Sequence, residues 1–149
     1  MKLSTKGRYG LKAMFDLALN DGSGPVSLAA ISERQGISIH YLEQLVSPLR
    51  KAGLLKSVRG AQGGYLLAKL PAEISVREIL ELLEGPLAPA SCVTDGENSC
   101  SHSDLCVSRM IYDRIYASIN EVVDNISLQD MLDEQYRNLQ DSISDMNNQ

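Results

Sequence analysis

The sequence predicts a mainly α-helical fold carrying one small β-hairpin, and three observations predict it. Serine-capped amphipathic segments recur through the first half, two apolar runs bracket the glycine-rich stretch from Arg59 to Gly64, and an apolar stripe of helical period runs from Val107 to Ile126. With 149 residues, 44% of them hydrophobic, the chain is long enough to bury a core without disulfides.

The first helix opens after Thr5, carries Tyr9, Ala13, Met14, Leu17 and Ala18 on one face, and stops at Asp21-Gly22-Ser23-Gly24-Pro25. Ser27 caps a second, short helix through Leu28, Ile31 and Ser32. Gly36 supplies a turn, and Ser38 caps a third helix. Helix, glycine-containing turn, helix is the order of a helix-turn-helix. The third helix directs Tyr41, Leu42, Leu45, Val46 and Leu49 inward and leaves His40, Glu43, Gln44 and Ser47 on the opposite face. Pro48 lacks an amide donor and is expected to kink this helix or end its regular part. Leu54–Val58 and Tyr65–Ala68 then form a hairpin whose tip contains Arg59, Gly60, Gly63 and Gly64. Such a hairpin beside a helix-turn-helix is a wing.

Ser75-Val76-Arg77-Glu78 is a capping box for a helix continued by Ile79, Leu82 and Leu83 and stopped at Gly85-Pro86. The stretch from there to Cys106 has no period and reads as a loop that needs something beyond its own side chains to hold it. Val107, Met110, Ile111, Ile115, Ile119, Val122 and Ile126 then form one stripe. A lone helix cannot hide it, so a second subunit is expected against it. From Ser127 a short helix with Leu128, Met131 and Leu132 gives way to a polar tail fraying near Asn147-Asn148-Gln149. The expected organisation is a winged helix-turn-helix over residues 1–84, a cysteine loop over 85–106, a long dimerisation helix over 107–126 and a short helix with a frayed tail over 127–149.

The formal net charge of −5 conceals a division. Through Leu70 the chain carries ten Lys or Arg against four Asp or Glu, whereas from Pro71 onward it carries four against fifteen. A basic half joined to an acidic one suggests that one end meets a polyanion. A winged helix-turn-helix with a basic balance and a dimerisation helix points to double-stranded operator DNA, because two-fold protein symmetry reads a palindrome. The plainer reading of the fold is a protein-interaction module, against which the basic balance weighs. The contact candidates are His40, Tyr41, Glu43, Gln44, Arg59 and Gly60. Gln44 can pair with adenine and Glu43 can accept from cytosine N4, while Arg59 and the bare backbone at Gly60 suit a phosphate. Solvated helix side chains are the competing reading of His40 and Glu43.

Three cysteines, Cys92, Cys100 and Cys106, lie in one short segment of a chain without a signal-peptide pattern or an apolar run long enough to span a bilayer, so a cytoplasmic protein with no membrane partner is expected. An odd number of clustered thiols argues for metal or cluster ligation, or a redox switch, rather than structural bridges. Soft thiolates favour iron–sulfur clusters and zinc. His102 is the candidate fourth ligand within the loop, with Asp104 a poorer one and an ordinary solvated histidine the alternative. No nucleophile–base pair and no phosphate-binding loop with its lysine is present, and an enzyme is not expected.

Ser4-Thr5-Lys6-Gly7-Arg8-Tyr9-Gly10, Tyr41-Leu42-Glu43-Gln44-Leu45, and Arg59-Gly60 with Gly63-Gly64-Tyr65 resemble the Rrf-type winged-helix transcriptional regulators, and the three cysteines place that resemblance with the IscR-type iron–sulfur cluster regulators among them. The resemblance extends to about Ile126. It implies a homodimer with a swapped long helix, a [2Fe-2S] cluster on Cys92, Cys100 and Cys106 supplied by cluster-assembly proteins, and repression or other control of cluster-biogenesis genes. It also implies that Glu43 and Gln44 read bases while Arg59 enters the minor groove. The first cysteine interval is longer than in the family pattern, Arg109 replaces the histidine expected three residues after the last cysteine, and His40 stands where serine is usual. The fourth ligand is therefore open among His102, another residue and an exogenous group, and the preferred operator is expected to differ. A zinc site, a thiol switch and a cluster-free regulator of sulfur or cysteine metabolism are the alternatives.

Overall fold

The computed structural model describes residues 2–94 and 105–149. Ser4, Ser27 and Ser38 cap α1 (Thr5–Leu19), α2 (Leu28–Gln35) and α3 (Ile39–Lys51), their side chains accepting from the amides of Gly7, Ala30 and Tyr41. Each hydroxyl satisfies a first-turn N–H that has no helical partner. α2 ends on Gly36, left-handed at φ 66°, and the chain turns there into α3. α1, α2 and α3 pack on one another. Ile31, Leu42, Leu45 and Leu49 are completely buried between them.

Pro48 does not end α3. The helix continues to Lys51, and the Pro48 carbonyl accepts from the Ala52 amide at 3.0 Å. A proline lacks only its own donor and keeps its acceptor, so the helical ladder resumes beyond it.

β1 (Leu55–Val58) and β2 (Gly64–Leu67) pair antiparallel, Leu55 opposite Leu67 and Val58 opposite Gly64. Val26 and Tyr65 exchange both backbone hydrogen bonds, at 3.0 and 2.8 Å, which fastens the wing to the segment before α2. A Cβ on Gly64 would run into the Val26 carbonyl, so this approach requires a residue without a side chain.

A 3-10 turn at Pro71–Glu73 leads into α4 (Val76–Glu84), opened by the Ser75/Glu78 capping box. α4 lies close against α1, where a Cβ on Gly7 or Gly10 would meet Glu84 or Leu83. Another 3-10 turn, Ser91–Val93, packs on α5 (Val107–Asp124). Arg77 of α4 donates to both oxygens of Asp124 at 2.9 and 2.8 Å and reaches Glu81 at 3.1 Å, so it clamps α4 to the end of α5. These two carboxylates raise the Arg77 pKa above its ordinary value.

α6 (Leu128–Asn147) is a helix of 20 residues where the sequence suggested a short helix and a frayed tail. A Ser127/Asp130 capping box starts it, and the backbone hydrogen bond from Ser127 holds the Asp130 pKa below the usual carboxylate range. Leu128 and Leu132 anchor its first turns in the core, while Tyr136, Leu139, Ile143 and Met146 continue its period on exposed positions. Among the described residues no helix is long and apolar enough to cross a membrane.

Asp16 is 1% exposed and is the buried charged residue of the head. Arg34 of α2 donates to its two oxygens at 2.9 and 2.8 Å, and Gln35 donates at 3.1 Å. Burial favours the neutral acid, but hydrogen bonds from Arg34 and Gln35 and the Arg34 charge outweigh it, so the carboxyl titrates below its ordinary value. The network ties the end of α2 to α1.

Candidate functional site

The exposed face of α3 follows from its period. With Leu42, Leu45, Val46 and Leu49 buried, the side chains of His40, Glu43 and Gln44 are left in solvent. The His40 and Gln44 Nε2 atoms lie 3.4 Å apart, and His40 Nδ1 lies 4.0 Å from the Glu43 carboxylate. Imidazole, carboxylate and amide therefore form one polar cluster at the start of the helix, carrying donors and acceptors suited to base edges. Ser47 is half-buried at the margin of this face.

Tyr41 is half-buried, its ring edge-on to Tyr9 of α1 at 5.7 Å and 84°. Lys12 stands over the Tyr9 ring at 5.9 Å. Lys6, Arg8 and Lys12 are exposed on α1. These α1 cations were legible in the sequence only as part of a charge balance. The Tyr9–Tyr41 contact, which sets α1 beside the start of α3, depends on the packing of two segments and was not.

Arg59 and Gly60 are exposed at the wing tip, Gly60 at φ 114°, and the Gly63 amide closes the turn onto the Gly60 carbonyl at 3.0 Å. A Cβ on Gly63 would strike the Val58 carbonyl. The tip thus presents bare backbone at its glycines beside the Arg59 guanidinium and the exposed side chains of Ala61 and Gln62.

The second candidate region spans the cysteines. Cys92 sits half-buried in the Ser91–Val93 turn and Cys106 half-buried at the cap of α5, both as free thiols. Cys100, His102 and Asp104 lie outside the described residues, and among the described residues no three His, Cys, Asp or Glu side chains are grouped for a metal. Val93 and Thr94 share a cavity with Arg77, Glu81 and Tyr116, so the turn carrying Cys92 rests between α4 and α5. Two free, partly accessible thiols on backbone anchored to packed elements fit the donor chemistry of a thiolate-bound cluster. They fit zinc as well.

α5 presents the third feature. None of its stripe is fully buried: Val107, Met110, Ile111 and Val122 are more than half exposed, Ile115 and Ile119 are half-buried, and the buried residue of α5 is the neighbouring Val123. Ile111, Arg114, Ile115, Ser118, Ile119, Val122 and Val123 line an open apolar groove of about 540 Å³.

Comparison with known proteins adds three findings. Residues 3–134 match the Rrf2 family, described as an iron-dependent transcriptional regulator. The HTH-type transcriptional regulator CymR of Bacillus subtilis is 47% identical over 88% of this chain and 89% of its own length. A solved structure described as that of CymR, the global cysteine regulator of B. subtilis, superposes with a TM-score of 0.75 over 88% of this chain and 95% of the other, at 44% identity. The HTH-type transcriptional regulator IscR of Cronobacter sakazakii is 44% identical over 91% of this chain and 82% of its own length. The structure of IscR from T. potens superposes with a TM-score of 0.75, 50% identity, and coverage of 91% and 88%. These relatives are named as transcriptional regulators and not as enzymes.

Proposed function

We propose, since the chain belongs to the Rrf2 family of transcriptional regulators, that it is a homodimeric operator-binding regulator that senses iron–sulfur cluster status through a [2Fe-2S] cluster and controls cluster-biogenesis genes. Regulators of this family bind DNA and typically dimerise. The observation that supports the sensing half of the reading is that Cys92 lies in a turn resting on α5 and Cys106 lies at the cap of α5.

On this reading the basic α1 side chains Lys6, Arg8 and Lys12 and the wing tip at Arg59 and Gly60 contact phosphates or the minor groove and fix register. Gln44 pairs with adenine, Glu43 accepts from cytosine, and His40 supplies a donor or acceptor beside them. The α5 groove takes the same helix of the second subunit, which places two reading heads on two half-sites. Cys92, Cys100 and Cys106 would hold the cluster, with the fourth ligand open among His102, another residue and an exogenous group. When bound, the cluster supplies reversible metal–thiolate bonds that join the segment after α4 to the start of α5. The protein then alters operator affinity because the two states of that segment hold the heads differently, and a ligand shifts an equilibrium only by its differential affinity for the two states.

The equal likeness to CymR favours a second reading, a cluster-free regulator of cysteine metabolism with the same DNA-binding head. One experiment tests both. The preferred DNA is selected from random sequence with the purified protein and titrated with cluster-loaded and cluster-free forms. The proposal predicts a change in affinity or preferred sequence of about 10-fold, within the usual range of ligand coupling. Equal affinities, with the same sequence preference, favour the cluster-free reading.

A further inference from the structure

The reading head and the cysteine-bearing segment meet at one carboxylate. Glu84 is the last residue of α4, and its Oε1 accepts from the Ser4 amide at 2.7 Å, the Ser4 hydroxyl at 2.6 Å and the Gly7 amide at 3.1 Å. The Ser4 hydroxyl itself reaches the Gly7 amide only at 3.4 Å, so the shorter contact in the first turn of α1 comes from a residue 77 positions away. Its negative charge lies at the positive end of the α1 dipole. Gly7 makes room for it, since a Cβ there would collide with the carboxylate.

Each side of this contact leads somewhere. After Glu84 the chain turns through Gly85, at φ 83° and ψ −166°, into Pro86, Leu87 and Ala88, toward the turn that holds Cys92. Those three residues share a cavity with Lys2 and Leu3 of the N-terminus and with Ile119 and Val123 of α5. The N-terminus, the start of the cysteine segment and α5 therefore converge at Glu84. On the other side, the first turns of α1 carry exposed Lys6, Arg8 and Lys12, and Tyr9 meets Tyr41 of α3 edge-on.

We propose that Glu84 is the positioning residue through which the state of the cysteine-bearing segment reaches the first turn of α1, and through Tyr9 and Tyr41 the start of the recognition helix. The proposal rests on the cluster-sensing reading. A movement of the segment after Gly85 acts on the residue next to Glu84 in the chain and on the cavity it shares with Lys2 and Leu3. Loss of its three hydrogen bonds frees the Ser4 amide, leaves the Gly7 amide only its 3.4 Å contact with the Ser4 hydroxyl, and loosens the turn that holds the basic side chains.

The test compares the wild type, Glu84→Ala and Glu84→Gln, each cluster-loaded and cluster-free, by amide hydrogen exchange at Gly7 and Arg8 and by operator affinity. For the wild type the expected result is a change in Gly7 exchange of about 10-fold between the two forms, alongside the change in affinity. Glu84→Ala is expected to exchange fast in both forms and to bring the ratio of the two affinities to within about 2-fold. Glu84→Gln, which keeps one acceptor oxygen of the same reach, restores part of both effects. If Glu84→Ala weakens operator binding by the same factor in both forms and leaves their ratio unchanged, Glu84 is a structural cap and the proposal is wrong. If the wild type takes up no cluster, or takes one up with no change in affinity, the sensing reading itself fails and the coupling falls with it.

Discussion

α3 and α5 are amphipathic helices of similar make, each with an apolar stripe at helical spacing and a polar opposite face. In α3 the stripe of Leu42, Leu45, Val46 and Leu49 is buried against α1, α2 and the wing, and the polar face with Ile39 at the first turn is left in solvent. In α5 only Val123 reaches the core, and Ile111 and Val122 remain 55% and 57% exposed. Burial of apolar area is the main favourable term in folding, so a helix that leaves its stripe open gains its place by pairing with something else. The head buries its stripe within one chain, whereas in the proposed dimer α5 is completed by a second subunit. On the proposed function, that division would let one half read DNA as a fixed shape while the other carries the adjustable contacts of assembly and sensing.

Four substitutions break or sharpen the comparison. The largest effect is expected for Leu42→Ala, which empties a site of zero exposure in the head and is expected to cost about 2–5 kcal/mol, read by urea denaturation. On the other side, Ile115→Asp is expected to weaken dimerisation by about 2–4 kcal/mol in sedimentation equilibrium while leaving the melting of the head unchanged. A loss of folded head in this variant would show that the two halves are not separately completed.

Asp16→Asn is expected to cost about 1–3 kcal/mol near neutral pH, since Arg34 is left with a neutral partner. The pH dependence carries a sign. Because the Asp16 carboxyl is held low in the fold, its contribution is complete above the unfolded-state value of about 3.9 and is lost as pH falls through the lower folded value. The gap between wild type and Asp16→Asn in thermal melts should therefore narrow below about pH 4. A gap that persists there would assign the cost to packing. The smallest global effect is expected for Glu43→Ala, which leaves stability unchanged and relaxes preference at one base position by about 1–3 kcal/mol in competition binding.

Much of the head was legible in the sequence because its signals are local. Ser27, Ser38 and the Ser75/Glu78 box announce their helices within four residues, and the glycine-rich wing tip announces its hairpin. The polar face of His40, Glu43 and Gln44 followed from the period of the buried residues beside it. What was not legible is non-local or sparsely coded. The Glu84 contact with Ser4 joins positions 80 apart and has no signature in either segment. Tyr136, Leu139, Ile143 and Met146 are diluted by polar residues, so α6 read as a fraying tail even though its capping box was present. Pro48 read as a kink or a stop because a missing donor is visible in sequence and a surviving acceptor is easily overlooked. At the cysteine site, Cys92 and Cys106 could be placed on the fold, whereas Cys100 and His102 lie outside the described residues.

If a cluster as well as a second subunit completes the α5 half, the purified protein contains iron and sulfide bound through its cysteines. The protein is purified without oxygen, and iron, acid-labile sulfide and the visible spectrum are measured on the wild type and on the Cys92→Ala, Cys100→Ala and Cys106→Ala variants. The account predicts about two irons and two sulfides per chain with visible charge-transfer bands, lost in each variant. A colourless wild type that carries zinc or no metal, and still binds operator DNA, would contradict it.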